Sequence, residues 1–391
     1  MNKLNVPQLR FPGFEGEWEE KKLDEMAQFK AGYAFKSEHM LSKKSNYQIL
    51  KMSNVYQNEL RLDRNPSFWK TIDTKQKEFL LKKGDSILTL TGTVGKKDYG
   101  YSIKIEEDNK YLLNQRLVLL REKQSKSDNN FISYLISNER FLFYFFAEAK
   151  GGTGNQTNVS IEDVRNISLN FPTLPEQQKI ASFLSAVDEK IQQLSRKKEL
   201  LEQYKKGVMQ QLFSGKLRFK DENGKDYPDW EEKKLGDVLK IGSGKDYKHL
   251  DEGNIPVFGT GGYMLSVNKF LHSGETVFIG RKGTIDKPFY FKGDFWTVDT
   301  LFYTHTFKNT IPKFIYCVFQ QINWKLHNEA SGVPSLSKST IEKLKFAFPC
   351  VPEQQKIANY LSSIDAKIEN TNSELEKTQL FKKGLLQKMF V

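Results

Sequence analysis

Phe171-Pro172-Thr173-Leu174-Pro175-Glu176-Gln177-Gln178-Lys179-Ile180-Ala181 returns 177 residues later as Phe348-Pro349-Cys350-Val351-Pro352-Glu353-Gln354-Gln355-Lys356-Ile357-Ala358. The same offset holds without a gap to Lys205-Lys206-Gly207, which returns as Lys382-Lys383-Gly384. A long internal repeat has to be interpreted first, because it decides how the chain divides into structural units. We therefore predict two similar helical arms that follow two dissimilar domains.

The segments that precede the arms also begin alike. Leu9-Arg10-Phe11 and Trp18-Glu19-Glu20-Lys21-Lys22-Leu23 return as Leu217-Arg218-Phe219 and Trp230-Glu231-Glu232-Lys233-Lys234-Leu235, whereas the residues that follow share little sequence. The predicted organisation is a first domain at residues 1–170, a central arm at 171–216, a second domain at 217–347 and a C-terminal arm at 348–391. We call the two domains head 1 and head 2.

Composition and charge limit the class of protein. A chain of 391 residues is long enough for two to three domains. Its 60 Lys and Arg against 48 Asp and Glu give a net charge of +12, which favours a polyanionic partner such as nucleic acid. Aromatic residues make up 13% of the chain, enough for packed cores and unlike a disordered protein.

The sequence also indicates a cellular location. No apolar run approaches the roughly 18 residues of a membrane span, and the N-terminal residues lack the apolar core of a signal peptide. Cys317 and Cys350 form no metal-binding pattern and are expected to be free buried thiols. We expect a soluble cytoplasmic protein without a bound metal.

The arms have the apolar spacing of coiled-coil helices, with steps of four and three residues. The predicted seam consists of Ile180, Leu184, Val187, Ile191 and Leu194 in the first arm, and of Ile357, Leu361, Ile364 and Ile368 in the second. Since the chain must return through head 2, we expect the two helices to pack antiparallel. The alternative is two independent amphipathic helices, each packed on its own head. Some 35–40 residues would give a rod of about 55 Å.

Each head is predicted to mix strands and helices. Expected strands include residues 47–52, 86–90 and 117–120 in head 1 and 255–258, 276–279 and 300–303 in head 2. Residues 130–136 and 313–319 are expected to form a closing helix in each head. The predicted fold class is α+β: two mixed α/β domains, two long antiparallel coiled-coil helices, and a pseudo-twofold internal repeat.

A glycine-bearing turn recurs in both heads. Thr91-Gly92-Thr93-Val94-Gly95-Lys96-Lys97 and Gly280-Arg281-Lys282-Gly283-Thr284-Ile285-Asp286 both follow an apolar strand and carry hydroxyl and cationic side chains. Glycine lets a backbone approach a phosphate closely, and arginine can also bind guanine bidentately. The alternative is an ordinary hairpin whose glycines satisfy turn geometry, but the repetition favours a binding function.

Catalytic patterns are weak. Asn65-Pro66-Ser67-Phe68 resembles the N-P-P-[FY] motif of amino-methyltransferases, and Phe258-Gly259-Thr260-Gly261-Gly262 resembles a turn that holds S-adenosylmethionine. The two lie in different heads, outside the strand–helix alternation of a cofactor fold. No P-loop is present. No ligand spacing connects the histidines, which are His39, His249, His272, His305 and His327. We expect no catalytic residue in this chain.

The duplicated P-x-x-P-E-Q-Q-K-I-A helix start and the duplicated lead-in segments resemble the specificity subunit of type I restriction–modification enzymes over essentially the whole chain. The resemblance implies that each head is a target recognition domain for one half of a split, asymmetric DNA site. It implies that the arms set the spacer and bind two modification subunits, which carry S-adenosylmethionine and methylate adenine at N6. Restriction subunits with ATP and Mg²⁺ would join the same complex, and this chain would bind no cofactor itself.

On that basis the candidate residues fall into two groups. The candidates for double-stranded DNA contact are Thr91, Gly92, Thr93, Gly95, Lys96 and Lys97 in head 1 and Gly280, Arg281, Lys282 and Thr284 in head 2, with Lys51, Arg116, Lys245 and Lys248 added for charge near strand ends. The candidates for partner binding are the positions expected to be exposed at Gln177, Gln178, Gln354 and Gln355, although such residues also occur simply for solubility.

Two other functions remain open. A self-contained DNA methyltransferase would need the cofactor fold that the sequence does not indicate. A coiled-coil scaffold for RNA or protein would favour shape or single strands, with aromatic stacking surfaces. The aromatic residues here lie mainly at core-like spacing, which argues against the scaffold.

Overall fold

The structure is a computed structural model that describes residues 5–151 and 155–391. The chain forms two compact units, Met1–Leu194 with Glu374–Val391 (unit 1) and Ser195–Ser373 (unit 2). Unit 1 contains head 1 and unit 2 contains head 2. Each of the two long helices contributes one part to unit 1 and the other part to unit 2. The division into four consecutive segments stays a prediction.

Unit 1 mixes short strands with helices. Its strands are β1 (Glu19–Lys22), β2 (Ala27–Ala31), β3 (Tyr47–Leu50), β4 (Val55–Tyr56), β5 (Glu59–Leu60), β6 (Phe68–Trp69), β7 (Ser86–Thr89), β8 (Thr91–Thr93), β9 (Ser102–Lys104), β10 (Tyr111–Leu113), β11 (Leu117–Glu122), β12 (Lys150–Gly151), β13 (Gln156–Asn158) and β14 (Ser168–Phe171). Its helices are α1 (Leu23–Met26), α2 (Thr74–Lys77), α3 (Asn129–Ile136), α4 (Glu139–Ala147), α5 (Ile161–Asn166) and the first part of α6 (Leu174–Phe213).

The strands of head 1 form several small sheets. The largest has the order β2-β11-β7-β9, and β3 lies between β10 and β6 in a second. The strands predicted at residues 47–52, 86–90 and 117–120 are confirmed as β3, β7 and β11. The third sheet, β12-β13-β8, places residues of the first glycine-bearing turn beside a later strand.

Unit 2 is built around one larger sheet. Its strands are β15 (Glu231–Lys234), β16 (Lys240–Ser243), β17 (Glu252–Gly259), β18 (Gly262–Val267), β19 (His272–Gly280), β20 (Phe289–Thr297), β21 (Leu301–His305) and β22 (Lys345–Phe348). Its helices are α7 (Leu235–Val238), α8 (Pro312–Gln321), α9 (Lys338–Lys343) and the first part of α10 (Val351–Lys388). Six of these strands form a sheet in the order β16-β21-β19-β20-β17-β18. The predicted closing helices correspond to α3 and α8.

Within unit 1, the beginning of α6 and the end of α10 run antiparallel. The Lys382 ammonium lies 2.6 Å from Asp188, and Lys190 lies 2.9 Å from Glu374. The residue numbers of the partners on α10 therefore fall as the residue numbers on α6 rise, which is the mark of antiparallel helices. Both helices also close the core of head 1, where Phe390 of the C-terminal segment stacks on Phe131.

Within unit 2, the remaining parts of the same helices are antiparallel as well. Lys198 donates to the Asn372 side chain at 2.6 Å, and Lys205 lies 2.6 Å from Asp365, so the partner numbers on α10 fall as the numbers on α6 rise. The Lys–Asp pair is the exact repeat equivalent of the pair in unit 1. The α+β class with two mixed domains and long antiparallel helices is thus confirmed.

The seam residues pack in the cores of the heads as well as between the two long helices. Buried members of the predicted seam belong to the same clusters as head core residues, for example Leu184 with Phe131 and Leu361 with Phe314. Buried are Ile180, Leu184, Val187, Leu194, Ile357, Leu361 and Ile364, and half-buried are Ile191 and Ile368. The two helices therefore pack on each other and on the heads, and the alternative of two independent helices is wrong.

The repeated sequence motifs of unit 1 meet in one joint. The Arg10 guanidinium binds the Glu176 carboxylate through two nitrogens at 2.8 Å, and the Trp18 indole N–H points to the same carboxylate at 3.4 Å. Glu176 is almost fully buried in the first turn of α6. A buried carboxylate requires such a partner, because desolvation without one is costly. The joint fixes the lead-in segment to the helix start.

Unit 2 repeats this joint. The Arg218 guanidinium contacts the Glu353 carboxylate at 3.2 and 2.8 Å, and the Trp230 indole N–H donates to it at 3.0 Å. Glu353 is fully buried. The repeated Arg and Trp of the lead-in motifs therefore have a structural explanation in both units, although the segment between them is four residues longer in unit 2.

Two further observations bear on the sequence-based expectations. Across residues 5–151 and 155–391, no helix has the length and apolarity needed to cross a membrane. Cys317 is buried, as expected, but Cys350 is only half-buried, so the expectation of two buried thiols is wrong for Cys350. Cys350 immediately precedes α10 at the surface of its unit.

Candidate nucleic-acid interface

Head 1 contains a groove of about 470 Å³ at its glycine-bearing turn. It brings together predicted contact residues from two separate segments of the sequence, the turn and Arg116. The lining residues are Met52, Thr91, Gly92, Thr93, Asp98, Arg116, Asn155 and Gln156. The groove thus joins the turn, Arg116 and the neighbour of Lys51 at one place.

The turn is held rigidly on one side of this groove. Asp98 accepts hydrogen bonds from the backbone N–H of Thr93 at 2.8 Å and from its hydroxyl at 2.7 Å. These two bonds hold the pKa of Asp98 below its ordinary range. Gly92 lies against the Tyr99 ring, where an added Cβ would come within 2.3 Å. Glycine at this position is therefore explained by close packing.

Part of the predicted turn is a strand. Thr91–Thr93 forms β8 and pairs with β13, so that Thr91 faces Asn158. The buried Thr91 hydroxyl donates to the Asn158 side chain at 3.0 Å, which means that it positions the strand rather than reaching outward. Thr93 is half-buried at the groove.

Arg116 stands out because its backbone is in the left-handed region, with φ of +70°. This conformation costs a non-glycine residue roughly 1 kcal/mol and is often kept at functional sites. Its carbonyl accepts from Leu90 N–H, beside the glycine-bearing turn. The exposed Arg116 side chain lines the groove.

The lysines of head 1 differ in their availability. Lys96 and Lys97 are exposed in the turn that follows β8, and the Lys97 ammonium lies 5.2 Å from the centre of the Phe146 ring. Gly95, with φ of +76°, allows that turn. Lys51 is half-buried and donates to the Ser67 hydroxyl at 2.8 Å, and burial lowers its pKa. Its ammonium is thus engaged within the head.

In head 2 the second turn is anchored through its backbone. The N–H groups of Arg281 and Lys282 both donate to the Thr300 carbonyl, at 2.8 and 3.2 Å. Gly280 is buried, and an added Cβ there would come within 2.1 Å of the Thr284 carbonyl oxygen. Gly280 therefore shapes the turn and presents no side chain. Lys282 is exposed and Arg281 half-buried.

A further cation of head 2 lies at the same edge of the sheet. The Lys245 N–H donates to the Thr297 carbonyl at 2.8 Å, three residues before the carbonyl that anchors Arg281. The side chain of Lys245 is exposed. Lys248 is also exposed, in the turn closed by the hydrogen bond from Leu250 to Tyr247.

The two turns are equivalent in structure. Leu90 accepts from Val159 N–H at 3.0 Å, as Arg281 accepts from Leu336 N–H at 2.9 Å. The residue that follows each of these, Thr91 in head 1 and Lys282 in head 2, pairs with Asn158 and with Ser335 respectively. Asn158 and Ser335 are themselves 177 residues apart, the offset of the repeat. Gly92-Thr93-Val94 thus corresponds to Gly283-Thr284-Ile285. The same scaffold carries different side chains, Thr91 and Lys282, at one equivalent position.

Sequence reasoning missed several residues of this interface. Asn155 and Gln156 line the head 1 groove through the pairing of β13 with β8. In head 2, Thr260 of the rejected glycine turn lies next to Gly283, with its hydroxyl 3.8 Å from where a Cβ would stand. One sequence signal could have located the segment that lies beside each turn. The 177-residue repeat continues upstream of the arms to Ser160 and Ser337, just after these segments.

The expectation that Gln177 and Gln354 are exposed is wrong. Both are fully buried. The Gln177 amide donates to the carbonyls of Pro172 and Lys126, and the Gln354 amide to those of Pro349 and Asn309. They are unavailable to a partner because they satisfy backbone groups around the helix start. Gln178 and Gln355 are exposed.

Nothing in the described part of the chain assembles a catalytic or metal centre from the weak motifs. Among those residues, no group of three or more His, Cys, Asp or Glu side chains could hold a metal ion. Ser67 of the methyltransferase-like motif binds Lys51, and Phe68 belongs to the short strand β6.

Comparisons with known proteins agree on one family. The family model described as type I restriction modification DNA specificity domain matches residues 15–203 and 227–379. The specificity subunit of type I restriction enzyme MjaVIII from Methanocaldococcus jannaschii is 25% identical over 367 residues, covering 81% of this chain and 80% of that protein. A putative MjaX specificity subunit of the same organism is 25% identical over 306 residues, covering 69% of each.

Two solved structures share the fold. The type I restriction–modification S subunit from M. genitalium has a TM-score of 0.69 with 20% identity, covering 99% of each chain. A chain from a structure on complex assembly and conformational transition of the type I R-M system has a TM-score of 0.53 with 14% identity, covering 98% of this chain and 99% of that one.

The two matched segments include both heads and most of both arms, which together make up well over half of the chain. The match therefore extends over the duplicated helix starts and over both glycine-bearing turns. This chain belongs to the family of type I restriction modification DNA specificity domain proteins.

Proposed function

We propose that this chain is the DNA specificity subunit of a type I restriction–modification enzyme, in which each head contacts one half of a split, asymmetric site. The observation that supports this most directly is the shared turn scaffold with different side chains. Thr91 and Lys282 occupy equivalent positions, Arg116 lines the groove at the first turn, and Arg281 belongs to the second turn. Different heads require different half-sites, whereas two identical heads would require a palindrome.

The chemistry of the two turns suits duplex DNA. The exposed ammonium groups of Lys96, Lys97, Lys245 and Lys282 can neutralise phosphates, and these contacts position a protein without reading sequence. Arg116 and Arg281 have the donor geometry that reads guanine in the major groove. Asn155 and Gln156 add amides of the kind that read adenine.

The arms are proposed to bind the modification subunits. An exposed stripe runs along α6 through Gln178, Ser182 and Glu189, and it borders a groove of 430 Å³ that also includes Asp128 and Asn130. The repeat provides a second stripe on α10. Its exposed members are Gln355, Asn359, Ser363 and Ala366. Two equivalent stripes would suit two copies of the same partner.

Catalysis is assigned to the other subunits of the complex. S-adenosylmethionine would be held by the modification subunits, and ATP with Mg²⁺ by the restriction subunits. This chain would supply recognition and spacing. Its contribution is therefore to select which adenines the modification subunits methylate.

Selection of duplexes from a random library by the complex of this chain with its modification subunits tests the proposal. A split, asymmetric motif should be enriched, and binding should weaken steeply with salt because phosphate contacts release counterions. Enrichment of RNA hairpins or single strands instead would favour the scaffold. Methyl transfer from S-adenosylmethionine by the purified chain alone would favour the self-contained methyltransferase.

A further inference from the structure

A strongly exposed large apolar side chain recurs at an equivalent position in the two heads. Phe143 of α4 is 72% exposed, and Leu326, in the 3₁₀ turn Trp324–His327, is 78% exposed. Each is the most exposed large apolar residue of its head among the described residues. A single exposed apolar side chain is common on protein surfaces. What singles out these two is that the exposure recurs at equivalent positions in two heads whose sequences differ.

The equivalence of Phe143 and Leu326 follows from their surroundings. The buried Phe131 and Phe314 occupy the same position in the closing helices α3 and α8 and stack on Phe390 and Phe213, which the repeat relates. Twelve residues after Phe131 comes Phe143, and twelve residues after Phe314 comes Leu326.

A buried aromatic residue precedes each exposed one by two positions. Phe141 and Trp324 are fully buried, with 0% and 1% exposure. Phe141 anchors the helix from which Phe143 extends into solvent, and Trp324 anchors the turn from which Leu326 does so. The heads differ in most of their sequence, so the retention of a buried anchor followed by an exposed apolar residue indicates a shared use.

In head 1 the helix that carries Phe143 packs directly on the candidate DNA interface. Phe145 and Phe146 contact Tyr99 with ring centres 5.7 and 5.2 Å apart, and Lys97 lies over Phe146. An added Cβ at Gly100 would touch Phe145 at 3.0 Å. Phe143 therefore extends from a helix that supports the cationic turn.

In head 2 the turn that carries Leu326 is tied to the same part of the interface. The Lys325 ammonium lies 2.9 Å from Asp286, two residues after Thr284 of the glycine-bearing turn. The Trp324 indole donates to the Phe319 carbonyl at 2.9 Å and so fixes the turn on α8.

The charge around these residues favours DNA over a protein partner. Exposed cations lie on the same elements, with Arg140 in α4 and Lys325 next to Leu326 in the 3₁₀ turn, and the Lys97 ammonium lies over Phe146 of α4. Cores of protein interfaces are instead depleted of charge. An exposed apolar side chain beside cations is similar to the wedges that DNA-bending proteins insert between base pairs.

We propose that Phe143 and Leu326 are wedges that insert between two base pairs beside the half-site read by their own head. This inference rests on the proposed DNA-recognition function. Insertion would unstack one base step at each half-site. Flexible pyrimidine–purine steps deform most readily, so the wedges would also favour such steps at positions without hydrogen-bonded contacts.

The test uses the complex of the full chain with its modification subunits, on duplexes that contain the selected site with 2-aminopurine placed singly at each step. Binding should increase 2-aminopurine fluorescence at one step per half-site, in addition to the position of the adenine that the modification subunit extrudes for methylation. Phe143→Ala should abolish the increase at one half-site only, and Leu326→Ala at the other, with affinity reduced roughly tenfold in each case. Phe143→Leu and Leu326→Phe exchange the two wedges and should retain the signal.

Three results would overturn the inference. Tight binding of the site without any fluorescence increase would exclude unstacking. Normal DNA binding by both alanine variants, together with loss of the modification subunits from the complex, would make these residues a protein contact. Failure of the wild-type complex to bind any duplex selectively would contradict the proposed DNA-recognition function itself. Failure of the wedge inference alone would leave selective binding of the wild-type complex intact.

Discussion

At the residue scale, the candidate interface depends on a few side chains held by backbone geometry. Arg116 is kept in a left-handed conformation at the head 1 groove, and Arg281 is anchored through its N–H to Thr300. The structure also separates residues that shape the turns, such as Gly280 and Thr91, from those whose side chains are exposed. Substitutions should therefore distinguish residues that position the turn from residues that contact DNA bases.

Arg281→Ala is expected to relax recognition at one half-site and leave the other unchanged. Loss of a bidentate base contact costs about 1–3 kcal/mol at the affected base. Arg116→Ala in head 1 is the matched variant and should affect the opposite half-site. The measurement is enrichment from the random duplex library. Uniform weakening across all sequences would mark Arg281 as a phosphate contact and contradict the reading role.

Asp98→Asn is expected to loosen the head 1 turn in a pH-dependent manner. The pKa of Asp98 lies below its ordinary value of 3.8 because Thr93 donates two hydrogen bonds to the carboxylate. Its stabilisation is therefore present at neutral pH and lost as the pH falls below about 3.8. We expect the variant to lose about 1 kcal/mol near neutral pH.

Denaturant unfolding of wild type and Asp98→Asn across this pH range measures the effect. The difference between the two proteins should shrink as the carboxylate becomes protonated in acid. Asp63→Asn, at an exposed carboxylate of the same head, is the control and should show little difference. A constant difference at every pH would contradict a role for the Asp98 charge.

Thiol labelling should separate the two cysteines. Burial raises the pKa of the Cys317 thiol to about 12, so its reactive thiolate is scarce. Cys350 is half-buried at the start of α10. In native protein near pH 8, we expect Cys350 to react at least about tenfold faster than Cys317. Mass spectrometry of the labelled peptides measures this, and equal rates would show that the core of head 2 opens readily.

At the element scale, the duplicated motifs determine how each arm joins its head. Glu176 and Glu353 are buried at the helix starts and bound by Arg10 and Arg218. The sequence predicted the arms well because the apolar spacing and the 177-residue offset are local signals. It could not predict that Gln177 is buried, because the groups that it binds include Lys126, which lies about 50 residues away.

Arg218→Met should destabilise unit 2 by about 3 kcal/mol, since it leaves the buried Glu353 carboxylate without its partner. Arg10→Met should do the same in unit 1. Arg196→Met removes an exposed ion pair with Glu199 from α6 and serves as the control, with little effect expected. Thermal unfolding monitored by calorimetry is the measurement. Equal stability of Arg218→Met and Arg196→Met would contradict the joint.

At the scale of the whole molecule, two heads with their own cores share one type of glycine-bearing turn. The sequence predicted the number of heads, their α+β class and the two turns, because repeats and turn chemistry are readable locally. It could not predict the groove of head 1, since Gln156 reaches Thr93 only through pairing of strands 63 residues apart in sequence. The sequence likewise could not single out Phe143 and Leu326, because their exposure to solvent is known only from the structure.

If the arms set the spacer of the DNA site, their length should control it. Insertion of seven residues into each arm preserves the heptad seam and adds about 10 Å of helix. We expect the spacer of the selected motif to lengthen by roughly three base pairs while both half-sites stay the same. An unchanged spacer in a folded variant would contradict a measuring role for the arms.

The most direct test of DNA specificity is a genome-wide map of N6-methyladenine in source cells with and without this gene. The proposed function predicts a split, asymmetric motif that disappears on deletion and returns with the wild-type gene. Complementation with Arg281→Ala should restore methylation at a motif altered in one half only. A methylation map that is identical in the presence and absence of the gene, in cells with active modification subunits, would contradict the assignment.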